Sequence, residues 1–417
     1  MPRQLYCDYA RFGAILPDCA CLLREFADIL EAKGQFPAFD PFLIDGSSAW
    51  SPELQQQFPV VAQWQGLEAL RTDIRELCGA PADSTVLFSG TSRQLARIAF
   101  QCLLNECESI LCTDQDWPEF QHILKLQVAQ AGAILHHTTL RPPDLPIDFP
   151  RPDPKTVAES LKKHGCDGML LTSIAHDGIS ILPNDVAIQL SHPLRFSVID
   201  GSQHVGYRPV ELPSEFRGIV LGGTHKWLCS GVPMSFAVYV HGKDRAAELR
   251  QLRKAVRTSA YDDMLLLRTA DLGLNPPNQT MRLEPLLTAF VAVRHALNQN
   301  VVSMFQHRCE NSHQLFELVR EQQTPLFTET RQGFAWAACE ILSASTIQKI
   351  LGEQGLTLSN VGKHLRFSLP SQPFSAVDND VIENALAALS NRYTGRLYEL
   401  NQLNFEPDSA DHSGTPG

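Results

Sequence analysis

The sequence predicts an α/β protein: a large domain built on a mostly parallel seven-stranded sheet, followed by a smaller α+β domain. Three observations carry this. From about Val60 onward, helical patterns alternate with seven short β-rich runs, STVLFSG, SILCT, AILHH, GMLLTSI, RFSVIDG, GIVLGGT and SFAVYV. Strands that alternate with helical stretches build a mostly parallel sheet with helices on both faces. The chain has 417 residues, 44% of them hydrophobic, which exceeds one ordinary core and calls for a second domain. Beyond Pro285 the pattern changes to helices mixed with isolated strands.

Taken in order, Pro17 to Lys33 reads as an amphipathic helix, and FLIDGSSAW, Phe42 to Trp50, as a short apolar run broken by Gly and Ser. Residues 1–41 are expected to pack on the small domain, with the large domain spanning 42–285. The small domain, 286–403, opens with a helical region from Leu286 to about Leu318. FAWAACEI, a helix-like STIQKILGEQ, LTLS, HLRFSL and a helix from Val377 to Leu389 follow. The tail, 404–417, is polar and rich in Gly, Pro and Ser, and is expected to be disordered. No internal repeat is visible.

Net charge is −11 with a pI near 5.7, and no Lys/Arg cluster recurs along a face, which argues against nucleic acid or an anionic membrane as a partner. A small anionic ligand must then be held by local dipoles and a few basic side chains. The N-terminus lacks a basic region followed by an apolar stretch, and no apolar run reaches about 18 residues. A soluble, unexported, cytoplasmic protein is expected. Eleven cysteines, an odd count without a CxxC pair, read as reduced thiols rather than a disulfide framework or zinc site.

The chemistry concentrates in FSVIDGSQHVG, Phe196 to Gly206, and VLGGTHKWL, Val220 to Leu228. If the two apolar runs are neighbouring buried strands, Asp200 and Lys226 emerge at one carboxyl edge, where open α/β sheets place their ligands. A pyridoxal phosphate site needs this pair. A lysine amine condenses with the aldehyde as a Schiff base, and a carboxylate keeps the pyridine nitrogen protonated so that the ring serves as an electron sink. Singly, Asp-Gly is a common turn and His-Lys is usually solvated surface. The apolar approach to both gives the pair its weight.

LFSGTSRQLARIAF, Leu87 to Phe100, reads as strand, small-residue turn and helix. The turn through Gly90, Thr91 and Ser92 offers backbone N–H groups and hydroxyls to a phosphate monoester, or is an ordinary N-cap. Trp117, in CTDQDWPEF, sits where a ring can lie over the pyridine face, or is a core or interface tryptophan. LLTSIAHDGISILP supplies His176 and Asp177, either a partner for the cofactor's phenolic oxygen or a plain turn. A nucleotide-binding α/β protein is the weaker reading, because GxGxxG and a Walker lysine are both missing.

This order of pieces resembles the class V aminotransferase group of fold-type I pyridoxal phosphate enzymes, which includes cysteine desulfurases, selenocysteine lyases and kynureninases. The resemblance runs from about Phe42 to Leu389, and DGSQHVG followed by THKW is similar to the family's DGAQ…HK. It implies that Lys226 anchors the cofactor, Asp200 partners the pyridine nitrogen, Ser202 lies under the ring and Gln203 approaches the phenolic oxygen. It places Trp117 in the stacking position and His225 with Thr91 at the phosphate. Thr280, in NQTMRLEP, falls where the dimer partner reaches the phosphate, and Arg366, in HLRFSLP, where the substrate carboxylate is clamped. Both imply a homodimer with shared active sites.

Three departures stand out. Gly223 replaces a frequent serine, a loss for which Thr224 is expected to compensate. CSGVPMS, Cys229 to Ser235, replaces a usual Gly-Pro-x-Gly. GLTLSNVGKHLR carries no cysteine where desulfurases hold a mobile persulfide residue, so a sulfur-relay desulfurase is not expected. The resemblance implies an α-amino acid substrate handled through an external aldimine and a quinonoid, with Lys226 as base. A lyase cleaving a C–S or other bond at Cβ is the expected outcome. Amino transfer and epimerisation are alternatives, as is a catalytically inactive cofactor-binding regulator.

Overall fold

The computed structural model describes residues 4–140, 153–258, 282–322, 324, 326–339 and 342–403. In chain order the first elements are β1 (Leu5–Tyr6), α1 (Pro17–Lys33), α2 (Phe39–Asp45), α3 (Pro52–Gln57), α4 (Leu67–Leu77), β2 (Thr85–Ser89), α5 (Ser92–Glu106), β3 (Ser109–Thr113), α6 (Pro118–Ala131) and β4 (Ile134–Thr138). Then come α7 (Pro154–His164), β5 (Gly168–Thr172), α8 (Pro183–Ile188), β6 (Phe196–Asp200), β7 (Gly218–Gly223), β8 (Ser235–Val240) and α9 (Arg245–Thr258). The last are α10 (Glu284–Gln299), α11 (Val301–Glu321), β9 (Phe327–Arg331), β10 (Phe334–Ala338), α12 (Ala344–Glu353), β11 (Leu356–Thr357), β12 (Ser359–Val361), β13 (His364–Ser368) and α13 (Ala376–Leu403).

The larger of two compact units, Tyr9–Arg308, holds a seven-stranded sheet in the order β2-β8-β7-β6-β5-β3-β4. Only β8 runs against the rest, wedged antiparallel between β2 and β7. The seven runs expected from sequence are these seven strands. Side chains of the inner strands alternate between two cores, as the strand period of two demands. Leu111, Leu171, Ile199 and Val220 enter one with α1, α4 and α10, while Leu170, Val198, Ile219 and Leu221 enter the other with α5, α6 and α9. Each such side chain contributes about 1.5–3 kcal/mol on full burial, so a polar substitution at any of them opens the sheet's cover. Local signals set the connecting helices. In α7 the Asp153 carboxylate caps the Lys155 N–H, Lys162 and Lys163 lie in the last turn, and Gly165 at φ 62° stops the helix.

The second unit joins the first eight residues to those from Cys309 onward. It holds a four-stranded antiparallel sheet, β12-β13-β10-β9, with β1 paired parallel to β11 over a core that includes residues of α12 and α13. The division thus falls at 308 rather than 285. The reason lies in α10, whose Leu286, Leu287, Phe290 and Val293 are buried with α1 and α4 in the large unit, Phe290 meeting Trp64 edge-on at 5.2 Å. At the other end only residues up to Asp8 belong with the small unit, not the whole of 1–41. FLIDGSSAW, an apolar run in sequence, spans part of α2 and a 3₁₀ turn. The tail 404–417 lies outside the described residues.

Candidate active site

At the carboxyl edge of the large sheet, β6 and β7 lie side by side and in parallel, with Asp200 opposite Leu221. Asp200 ends β6, and three residues after β7 the chain reaches Lys226. Both line one cleft of about 230 Å³, together with Ser92, Trp117, His176, Ser202, Gln203 and His225. Eight predicted site residues therefore converge. Asp200 is buried, and one carboxylate oxygen accepts the Ser202 N–H at 3.0 Å. Its backbone carbonyl accepts the N–H and hydroxyl of Ser173, each at 3.1 Å, which ties the end of β6 to the end of β5.

The cleft wall carries polar atoms that the protein leaves unsatisfied. Thr172 Oγ1 and His225 Nδ1 are both buried without a hydrogen-bond partner. Buried polar groups are almost always paired, so such atoms at a cleft are places for a ligand. Burial, and then the neighbouring positive charge of Lys226, push His225 down to about 4, so its ring is neutral at pH 7. Ser92 brings the N-terminus of the fifteen-residue α5 to the cleft, an end that favours anions. A buried carboxylate, an amine, unpaired donors and a helix N-terminus match the pyridine nitrogen, aldehyde, phenolic oxygen and phosphate of pyridoxal phosphate. The residues present fit that group.

Several predicted residues behave differently. Trp117 is 50% exposed and meets His176 edge-on at 6.5 Å. Both ends of the Gln203 amide already serve the protein: its N–H donates to the Ala10 carbonyl and its oxygen accepts the Trp227 indole N–H, each at 2.8 Å. Thr224 is fully buried beneath the cleft and donates its hydroxyl to the Met234 carbonyl. Gly90 and Thr91 form the turn before α5, where the Thr91 N–H donates to Ser89 Oγ at 3.2 Å, and neither lines the cleft. Thr280 lies outside the described residues. Arg366 belongs to the other unit, where its guanidinium donates to Asp8 Oδ1 at 3.1 Å and Ser359 Oγ at 3.2 Å, with Asp8 also bonded by the Ser359 hydroxyl.

Sequence reasoning missed three residues around the cleft. Thr172 ends β5 in register with Asp200, a position the strand period predicts once the register is known. His204 sits buried beneath the DGSQ turn, its Nε2–H donating to the Pro209 carbonyl at 2.9 Å, and burial pushes it down to about 4. Asp116, beside Trp117, is wholly enclosed and accepts the N–H of Thr113 and of Thr172, each at 2.7 Å. It stands where β3 and β5 part after two rungs, Ile110 with Gly168 and Leu111 with Met169. One carboxylate thus replaces the missing rung and holds the sheet open. Burial pushes Asp116 up to about 7 against those hydrogen bonds, with Asp200 adding to the rise. Burial pushes the thiols of Cys78, Cys102, Cys112 and Cys229 up to about 12, so these four stay protonated.

No protein-family model matches the sequence, and no curated protein matches it. Solved structures do. The cysteine desulfurase CsdA from Escherichia coli superposes with a TM-score of 0.65 over 95% of each chain at 14% identity. The ureidoglycine-glyoxylate aminotransferase from Bacillus subtilis does so with 0.65 over 94% of each chain, also at 14%. The cystine C–S lyase C-DES matches with 0.61, covering 93% of this chain and 97% of its own, at 14%. The chain has the class V aminotransferase fold. Solved class V structures with desulfurase, lyase and transferase names match it alike, so the fold does not separate these reactions and gives no support to excluding a desulfurase. No helix among the described residues is long and apolar enough to cross a membrane.

Proposed function

We propose that this chain is a pyridoxal 5'-phosphate enzyme acting on an α-amino acid, with Lys226 as covalent anchor and base and Asp200 as partner of the pyridine nitrogen. One observation carries the reading: Asp200 and Lys226 meet in a single cleft whose wall also holds the unpartnered Thr172 hydroxyl and His225 ring nitrogen. Ser92 with the α5 N-terminus and His225 would hold the phosphate, and Trp117 and Ser202 would flank the ring. Bound pyridoxal phosphate supplies an electron sink for negative charge developing at the substrate's Cα. The protein's share is the rest. The Lys226 amine would take the Cα proton, and the Asp200 carboxylate would face the pyridine nitrogen.

Loss of a leaving group from Cβ, above all a thiol or persulfide, is the reaction proposed, with a 2-oxo acid and ammonium as final products. The sequence HKW and the short segment before Arg366 favour it. That segment is β12 and β13 joined at Gly362-Lys363, without a cysteine. A cystine C–S lyase is among the similar structures. Amino transfer is the second reading, favoured by the likeness to an aminotransferase. Arg366 remains the proposed holder of the substrate carboxylate, and Thr280 a phosphate contact from a second copy in a homodimer with shared sites; a cytoplasmic location is proposed with them.

Borohydride treatment of the purified, cofactor-loaded protein should attach pyridoxal phosphate to Lys226 by peptide mapping. Label on a different lysine would end the assignment. Incubation with cystine or cysteine conjugates should release a 2-oxo acid, whereas amino transfer would require an added keto acid. Cofactor attachment without turnover of any amine would point to an inactive regulator.

A further inference from the structure

The lysine turn is gripped from outside by the segment before α1. The Gly13 N–H donates to the His225 carbonyl at 2.7 Å and the Leu16 N–H to the Cys229 carbonyl at 3.0 Å, so residues 13–16 run along the turn that carries Lys226. Two rings add to this grip. Tyr9 stacks on Trp227 at 6.3 Å, and Phe12 leans on the His225 ring at 5.7 Å. The Ala10 carbonyl holds Gln203, which in turn holds the Trp227 indole.

The contact is closest at Gly13. A Cβ placed there would stand 1.9 Å from the Lys226 carbonyl oxygen and 2.7 Å from Cys229 Sγ, distances no real side chain occupies. The turn itself is bent to meet the strap: Cys229 takes a left-handed φ of 60°, costly for a residue with a side chain, and its N–H closes onto the Lys226 carbonyl at 3.1 Å. Nothing in the turn's own hydrogen bonding calls for a glycine at 13. The close approach does.

We propose that Gly13 and the Tyr9–Leu16 strap are positioning elements that fix the backbone of Lys226, and through it the reach of its amine into the cleft. This rests on the reading of Lys226 as cofactor anchor. Pinning both neighbours of an anchoring residue converts a flexible amine into an oriented one, and a misplacement of about 1 Å can cost on the order of 100-fold in rate. The strap belongs to the same compact unit as the cleft, so its effect on the lysine is direct.

The test follows pyridoxal phosphate added to cofactor-free protein, with borohydride quenching and peptide mapping giving the rate of attachment at Lys226, and equilibrium dialysis giving total cofactor bound. Gly13→Ala should slow attachment by roughly 10- to 100-fold while dialysis still finds bound cofactor, and should move the pH midpoint of the visible band. Phe12, 37% exposed, can be cut without a clash, so Phe12→Ala should give a smaller slowing that Phe12→Leu partly restores. Gly352→Ala, on α12 with open space around it, should change nothing. If Gly13→Ala does not fold, the Phe12 pair decides. Wild-type attachment rates and midpoints in these variants overturn the strap alone; failure of the unmutated protein to attach cofactor at Lys226 overturns the strap together with the site.

Discussion

Asp200 and Arg366 make an instructive pair. Both are charged, 5% exposed, on strands, and both were assigned to ligands from sequence. Asp200 ends its strand at a cleft, with one carboxylate oxygen held by its own turn and an amine-bearing turn beside it. Arg366 lies on β13 with its charge already answered by Asp8 and a hydrogen bond from its guanidinium to Ser359. Burial makes both expensive, and what pays differs. A buried charge facing a cleft with unsatisfied neighbours awaits a ligand, whereas a buried charge matched within its own core is stable without one.

The largest loss is expected at Lys226. Lys226→Ala removes both anchor and base, and turnover should fall by on the order of 10⁴-fold; stopped-flow product release measures it, and residual activity near wild type would remove the lysine from the mechanism. Asp200→Ala should cost about 10²- to 10³-fold, the scale of losing one preorganised electrostatic group. Asp200→Asn should be nearly as slow, since the amide keeps shape and loses charge. If the two Asp200 variants differ widely, packing rather than charge is what position 200 supplies.

Why was the Asp200 corner legible and the Arg366 corner only half so? The lysine turn is local. FSVI and GIVL are apolar because both faces of β6 and β7 are covered, and the polar residues that follow have nowhere to go except the sheet edge. Four more of the seven strands, β2, β3, β5 and β8, could be read for the same reason, while β4, at the sheet's edge, is partly exposed along its length. The Asp8–Arg366 bond joins residues 358 positions apart, and no pattern near either announces the other. The bonds of Gln203 are no more visible from sequence: its amide serves Ala10 and Trp227, one of them nearly two hundred residues away. Asp116 has no signal in the sequence, because its job, replacing a rung between β3 and β5, exists only once the sheet is assembled.

Arg366 can be tested from both sides of its bond. If it holds the substrate carboxylate, Arg366→Lys should raise KM for carboxylate-bearing amines by about 10- to 100-fold, the worth of a charge-assisted hydrogen bond, and leave kcat near its starting value. Asp8→Asn frees the guanidinium and should lower the same KM while cutting stability toward urea by about 3–5 kcal/mol, the usual consequence of stranding a buried charge. Stability losses in both variants with KM unmoved in either would make the pair purely structural and take Arg366 out of the site.

The smallest expected effect is a slope. Asp116 titrates near 7 in the folded chain but at its ordinary 3.8 when unfolded, so the folded state holds a proton that the unfolded state has released between those values. Its contribution to stability is full below 3.8 and is lost as pH rises toward 7. His204 and His225 act in the opposite sense. Each is pushed down to about 4 from 6.5, so the unfolded chain binds their protons first and stability falls as pH drops from 6.5 to 4. The two trends overlap and mask each other in the unmutated protein, but a variant separates them. Asp116→Asn carries no titrating proton and should lose stability at every pH, because its amide N–H groups face the Thr113 or Thr172 N–H. The deficit relative to the unmutated chain should shrink steadily from pH 4 to 7 and then level off. A deficit that stays constant across that range in urea titrations would mean that Asp116 is ionised throughout, its two backbone donors outweighing burial.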